Sequence, residues 1–413
     1  MAEHAKIIAV INVAILHPID PAGHVPSGID AFVRGILKFA PPDIHYSLFG
    51  ATSDSVARPP GVPATVISGN REYNFLPVVS MDPRAGRGAV PLTVRYMLAL
   101  NLVRRRGLLD QFGILDFHRI EPSFLFSGDS RPKNVLLHQD MSIIRDRNSD
   151  ILWRHAPWMY EFMEKRAFTR MRHIFAVRQS AVQRYQALYP SLADRFSFIP
   201  TWVDTTVFVP SPSEPARSLT RSEFRSRNDL PDDARLLVFV GRLDQQKDPL
   251  LLIEALESCV ARNSSIFLVI VGDGVLRSRV EDAARARNVY QRIRFLGVRP
   301  PAQIAEILRA ADLYVLSSAY EGMPIAMLES LATGLPVAST DVGEVRLVIK
   351  DRVNGRISID RSAESFAKAI MDTLDASEGL RGVPCESAVR DYHPEAVLEI
   401  IYANHRLRGR KQG

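Results

Sequence analysis

Two carboxylates, Glu321 and Glu329, have seven residues between them, beginning Gly322-Met323-Pro324-Ile325. Pro324 fits the first position of a helix, because its φ is already helical and its missing N–H is not needed there. Gly334 fits the C-terminal cap, and Pro336 follows it. The spacing therefore predicts a short helix over Pro324–Thr333. Glu321 would stand in the loop before it, and Glu329 roughly 7–9 Å further along the axis. The free N–H groups and positive dipole end of such a helix make an anion site. One carboxylate could then reach a sugar and the other a ribose, with a diphosphate between them. Taken alone, the same pair reads equally well as two ordinary helix-end glutamates.

Two further stretches carry phosphate chemistry. In Val240-Gly-Arg-Leu-Asp-Gln-Gln-Lys-Asp-Pro-Leu250 a strand ends, Gly241 turns the chain, and Arg242 and Lys247 precede a helix. An arginine fork and a lysine point charge suit two phosphates sharing negative charge. In Ile270-Val-Gly-Asp-Gly-Val-Leu-Arg277 a strand runs into Gly272 and Gly274. Glycines there let a backbone approach a ligand closely, or simply close a strand–helix joint.

The elements that must position these residues are legible as alternating apolar runs and amphipathic stretches. Strands are expected at Ile7–Ile15, His45–Phe49, Ala64–Ile67, Ile114–His118, Asn134–His138, His173–Val177 and Phe196–Ile199. The second half adds Leu236–Val240, Ile266–Val271, Ile293–Leu296, Leu313–Leu316 and Pro336–Ser339. The alternation argues for parallel sheets covered by helices, in two sheets of about six strands. Thr205–Asp233, with Pro210, Pro212, Pro215 and Pro231, reads as an inter-domain connection holding one short helix. The expected domains are 1–203 and 204–391. The final segment is read as helical and as packing back on the first domain. Ligands in such sheets collect at the carboxyl ends of the strands.

The 413 residues suffice for two domains, and 46% hydrophobic with 24% charged residues is ordinary for a globular chain. A net charge of +6 permits an anionic substrate or an anionic membrane surface. Cys259 and Cys385 are too few for a disulfide framework or a zinc site, which sets a reduced, cytoplasmic compartment as the default. The N-terminal apolar run Lys6–Leu16 is short and fits a buried strand better than a signal peptide. No run approaches the roughly 18 apolar residues of a spanning helix. The basic residues lack the pattern of a nucleic-acid reader. Arg104-Arg105-Arg106 and the basic run Lys165–Arg184 could meet anionic lipid headgroups or form solvated helix faces.

In their order, Gly241-Arg-Leu…Lys247, Gly272-Asp-Gly274, Phe295-Leu-Gly297, Ala310-Ala-Asp312 and Glu321-Gly…Glu329 make the chain resemble the retaining GT-B glycosyltransferases of group 1, the E-x7-E family. The resemblance is strongest over Leu236–Gly355. In the first half, Ile199-Pro-Thr-Trp-Val-Asp204 is similar to the family's hinge motif, and Thr201 and Trp202 depart from its usual Pro-Asn-Gly-Val-Asp.

The resemblance implies an α/β fold of two doubly wound, Rossmann-like domains facing across a cleft. It implies a nucleotide-diphosphate sugar as donor, no metal and no cofactor. The acceptor is a hydroxyl on a glycan or glycolipid. Arg242 and Lys247 would bind the donor diphosphate, Glu321 the transferred sugar and Glu329 the ribose. Gly241, Gly272, Gly274 and the turn Gly322-Met323-Pro324-Ile325 would line the phosphates, and Val298 the nucleobase. In the first half it points to His138 beside the reacting sugar, with His118 behind it, and to Gly28 near the phosphates. Arg119 and Glu121 are read as a structural pair. Substitution at the anomeric carbon with retained configuration, by a front-side route, is the expected chemistry. Two alternatives stay open: a sugar-nucleotide epimerase of the same fold, and an inactive partner subunit.

Overall fold

The computed structural model describes residues 10–23, 28–68, 71–81, 90–138 and 156–409. The chain folds into two compact units, Met1–Pro200 with Pro394–Gly413, and Thr201–His393.

The first unit is built on β1 (Ile11–Leu16), β2 (Ile44–Thr52), β3 (Ala64–Ser68), β4 (Arg71–Ser80), β5 (Ile114–Phe117), β6 (Lys133–Leu137), β7 (His173–Ala176) and β8 (Phe196–Phe198). They form one sheet in the order β3-β4-β2-β1-β5-β6-β7-β8. All neighbours run parallel except β3 and β4. Helices α1 (Gly28–Lys38), α2 (Leu92–Arg105), α3 (Pro157–Phe168) and α4 (Gln179–Leu188) connect the strands. The order reverses at β1, since β2 lies on one side of it and β5 on the other.

This sheet has eight strands where about six were expected. The unforeseen strand is β4, whose Pro77 disguises the apolar run Phe75–Val79. Proline cannot donate to a ladder, and here it pairs with Gly50 just where the β2–β4 register shifts. The start of the expected N-terminal strand lies outside the described residues, and the described strand runs Ile11–Leu16.

The C-terminal helix Pro394–Gly409 packs within this unit. Tyr402 Oη donates to the Ile36 carbonyl at 2.9 Å. Arg406 Nε donates to Asp43 Oδ2 at 2.6 Å. His405 is fully buried, with Nδ1 at 2.8 Å from Tyr46 Oη and Nε2 at 2.7 Å from Asp116 Oδ2. A buried polar group needs such partners, and these tie the helix to β2 and β5.

The second unit has β9 (Arg235–Val240), β10 (Ile266–Val271), β11 (Ile293–Gly297), β12 (Leu313–Leu316), β13 (Val337–Ser339) and β14 (Gly355–Ile357). They form a parallel sheet in the order β11-β10-β9-β12-β13-β14. Its helices include α5 (Glu214–Arg227), α6 (Pro249–Arg262), α7 (Arg277–Ala286), α8 (Pro301–Ala310) and α9 (Ile325–Ala332). Leu236–Val240, Ile266–Val271 and Leu313–Leu316 are buried throughout, as strands covered on both faces must be. β14 was not foreseen, because three residues of an edge strand leave no apolar run to read.

The proline-rich stretch expected as a connection is instead part of this unit. Ser213 accepts from the Ala216 amide at 3.3 Å and caps α5, with Pro215 in the first turn. Phe224 then enters the core. The prolines mark a helix start rather than a linker.

Candidate functional site

The order of the second sheet reverses between β9 and β12, the place where ligands bind in open parallel sheets. The loops leaving these two strands carry Arg242, Lys247 and Glu321. The loop after β9 folds around Asp244, which accepts from the Lys247 amide at 3.0 Å and pairs with Arg242 Nη1 at 3.0 Å. Asp248 then caps α6 by accepting from the Leu251 amide.

The second loop is laced to the first. Ser317 Oγ donates to the Lys247 carbonyl at 2.8 Å, and the Ala319 amide to the Gln246 carbonyl at 2.8 Å. Lys247 Nζ lies 2.6 Å from Glu321 Oε1, which also accepts from Ser318 Oγ at 2.7 Å. Gln246 Nε2 reaches Glu321 Oε2 at 3.4 Å, while its Oε1 accepts from Arg242 Nη2 at 3.2 Å. Gln246 thus joins the guanidinium to the carboxylate. Glu321 is buried, whereas the Arg242 side chain, held by Asp244 and Gln246, is 56% exposed.

Helix α9 starts three residues beyond Gly322. Pro324, expected as its first residue, is the N-cap instead, because its ψ of 112° is extended. The helix ends at Ala332, and Gly334 takes φ +78° just past the C-cap. Its first amides, at Ile325, Ala326 and Met327, have no acceptor within the helix and offer positive charge at its tip. Met323 buries its side chain in the core, so only its backbone is available to a ligand. Glu329 sits in the second turn, and burial pushes its carboxyl up to about 7, with Asp204 adding and Lys247 opposing. Hydrogen-bond donors brought to this carboxylate would favour its ionised form.

Gly272 and Gly274 serve the site indirectly. A Cβ on Gly272, at φ +132°, would fall 1.9 Å from the Gly241 carbonyl oxygen, and one on Gly274 would fall 2.4 Å from that of Leu243. These glycines let the loop after β10 cross directly over the phosphate-type loop after β9. Their close approach is to backbone. Val298 follows β11 and is exposed. Gly343, at φ +53°, performs a similar service, since its Cβ would meet the Gly322 carbonyl at 2.2 Å.

Sequence reasoning passed over Gln246, Ser318 and Tyr314. The first two lie inside stretches already singled out, but only tertiary contact shows that they hold Glu321. Tyr314, on β12, is fully buried, and its hydroxyl finds no hydrogen-bond partner among the described residues. Burial, with Glu321 and Glu329 nearby, holds it firmly in the phenol form.

The first unit has its own reversal, between β1 and β5, and histidines collect there. His17, His118 and His138 are each the first residue after a strand, on the neighbouring β1, β5 and β6. His118 Nδ1 and His138 Nε2 are 3.1 Å apart with the rings stacked, so one nitrogen donates and the other accepts. The His17 ring lies 5.7 Å from that of His118, and Phe32 meets His138 edge-on. Burial lowers His118 to about 4 and holds His17 and His138 well below the usual imidazole value. All three are neutral. His17 was missed, although the repeated pattern of apolar strand then histidine was visible. Gly28 opens α1, and Pro26-Ser27 before it lie outside the described residues, as do Gln139-Asp140 after His138. Arg119 pairs with Glu121 at 3.1 Å.

Residues 220–381, which lie in the second unit, match the family model of glycosyl transferases group 1. The chain is 32% identical over 170 residues to an uncharacterized glycosyltransferase of Methanocaldococcus jannaschii, covering 41% of this chain and 43% of that protein. It is 32% identical over 186 residues to the Escherichia coli UDP-Gal:alpha-D-GlcNAc-diphosphoundecaprenol alpha-1,3-galactosyltransferase, covering 44% and 46%. The chain thus spans under half the length of these relatives. The sucrose-phosphate synthase structure from Thermosynechococcus elongatus superposes with a TM-score of 0.77 at 18% identity, covering 96% of this chain and 98% of that one. The fold is therefore that of a GT-B glycosyltransferase, with two Rossmann-like α/β domains.

Proposed function

We propose that the protein transfers a hexosyl group from a nucleoside-diphosphate sugar to a hydroxyl of a glycan or glycolipid acceptor, with the anomeric configuration retained. The observation that carries this reading is the clamp of Lys247, Gln246 and Ser318 on Glu321, which directly precedes Gly322 and stands three residues before the α9 N-cap Pro324, at the sheet's reversal point. Arg242, Lys247 and the α9 amides receive the diphosphate and offset the charge that grows on it as the glycosidic bond breaks. Two cations and a helix end suffice for that without a metal. Glu321 accepts from hydroxyls of the transferred sugar, and Glu329 from those of the ribose.

The first unit takes the acceptor, with His138 among the groups that receive it. On the front-side route the acceptor oxygen forms its bond to the anomeric carbon on the face that the diphosphate leaves. The departing phosphate oxygen takes the hydroxyl proton. The name of the Escherichia coli relative, with its UDP-galactose donor and lipid diphosphate acceptor, supports a UDP-sugar and a lipid-linked acceptor as the first pair to test. We place the protein in the cytoplasm. Among the described residues no helix is long and apolar enough to cross a membrane.

The test begins with thermal shift in UDP, GDP and ADP, because a ligand of the native state raises its apparent stability. Transfer from the matching nucleotide sugar is then measured, with the product anomer read by NMR and the assay repeated in chelator. Glu321→Ala and Arg242→Ala should each lower turnover by about a hundredfold or more while leaving the chain folded. Near-normal transfer by either variant refutes the assignment. An epimerised nucleotide sugar in the absence of acceptor would indicate the epimerase instead.

A further inference from the structure

Two helices of the first unit carry large apolar side chains on the side turned away from the sheet. Tyr96, Leu100 and Val103 of α2 are buried in one core, and Tyr160, Ala167 and Phe168 of α3 are buried in the same core. Both helices therefore cover one face of the sheet, and both pack on the short turn Glu121–Phe126. Their opposite sides point outward together.

On α2 that outward side presents Val94, Leu98 and Leu102 at one-turn intervals, with Leu98 65% exposed. On α3 it presents Trp158 and Phe162, one turn apart and 71% and 66% exposed. A helix at the surface of a domain needs one apolar face, and these have a second. Single exposed apolar residues are ordinary, but aligned ones on two helices of one face mark a contact surface.

The charges beside this surface identify its occupant. The apolar line on α2 runs into exposed Arg104, Arg105 and Arg106, and that on α3 into exposed Lys165 and Arg166. Apolar and aromatic side chains flanked by Lys and Arg are the composition of a helix that lies in the headgroup layer of an anionic bilayer. A second copy packed face to face would set like charges against each other. We propose that this face docks the first unit on an anionic membrane surface. Trp158, Phe162, Leu98 and Leu102 enter the headgroup region, and the neighbouring cations meet lipid phosphates. The docking goes beyond the sugar-transfer reading and does not depend on it.

Flotation of the full chain with lipid vesicles tests this without any turnover. Vesicles of phosphatidylglycerol and phosphatidylcholine, at about three parts to seven, should carry the protein upward, and pure phosphatidylcholine should not. Trp158→Ser/Phe162→Ser and Leu98→Gln/Leu102→Gln should each cut the bound fraction about tenfold with unchanged Tm, since these side chains are exposed. Arg105→Glu/Arg166→Glu should weaken binding most at low salt. Absence of flotation, or wild-type binding by both apolar variants, overturns the proposal. So does sedimentation showing that the face instead pairs two copies, with the apolar variants reverting to monomers.

Discussion

Lys247 Nζ and Glu321 Oε1 stand 2.6 Å apart, bridging the loops that leave β9 and β12. The pair closes the point at which the sheet order reverses. A diphosphate approaching Lys247 would share this ammonium with the carboxylate, and a sugar hydroxyl could take the place it yields.

The pair should therefore act on stability and chemistry separately. Lys247→Ala leaves a buried carboxylate without its cation, and should cost about 3 kcal/mol in urea unfolding as well as abolishing transfer. Lys247→Met with Glu321→Met removes both charges and should recover most of that stability while remaining inactive. A double variant as unstable as the single one would show that the pair is not the bond holding the loops.

Glu329 gives the site a pH dependence. Its carboxyl titrates near 7 when folded, against 4.5 ordinarily, so between these values the folded chain keeps a proton that the unfolded chain has lost. The group is neutral in its effect below that window. It destabilises increasingly as pH rises through it, by up to about 3 kcal/mol. Glu329→Gln should therefore be more stable than the wild type at pH above the window and equal to it below. If ribose hydroxyls bind the carboxylate, nucleotide binding near neutrality should release a proton. Calorimetry in buffers of different ionisation enthalpy reads that release, and the glutamine variant should lose it.

The histidines of the first unit act in the opposite direction. His118 titrates at about 4 when folded and near 6.5 when unfolded, and His17 and His138 are lowered too. The unfolded chain takes up these protons first. Stability is complete above about 6.5 and falls as the pH drops toward 4. His118→Asn should flatten that acid limb, as followed by Tm across the range. An unchanged limb would mean that other groups set the acid sensitivity.

Much of this was legible beforehand because apolar strands buried on both faces announce themselves in the sequence. Ile266–Val271 and Leu313–Leu316 were read to the residue. Strand ends then fixed where Arg242, Gly272 and His138 would fall. What stayed hidden depends on contacts between distant residues. Gln246 is an unremarkable loop residue until the second loop brings Glu321 to it. The run around Pro77 in β4 was not read as a strand at all, and the prolines ahead of α5 were taken at face value, as a connection. The register shift opposite Pro77 and the serine cap at α5 turn them into parts of elements. The outward apolar residues of α2 could not be told from core residues by period alone, since both of its faces are apolar.

Gly272 separates two roles that the sequence left together. If it exists to admit a phosphate, Gly272→Ala should fold normally and lose nucleotide affinity. The structure gives a different outcome. The added methyl would fall 1.9 Å from the Gly241 carbonyl oxygen, in a backbone conformation at φ +132° that side chains rarely adopt. Neither the backbone of the β9 loop nor the strand end behind it can yield that distance cheaply. The loss should reach about 3 kcal/mol or more, seen as a lower urea midpoint with or without nucleotide. Gly297 is the control, because its φ is +69° but nothing lies within 4 Å of its would-be Cβ. Gly297→Ala should cost only about 1 kcal/mol. Equal losses at the two positions would mean that backbone conformation alone, and not the crossing of the loops, sets the need for glycine at 272.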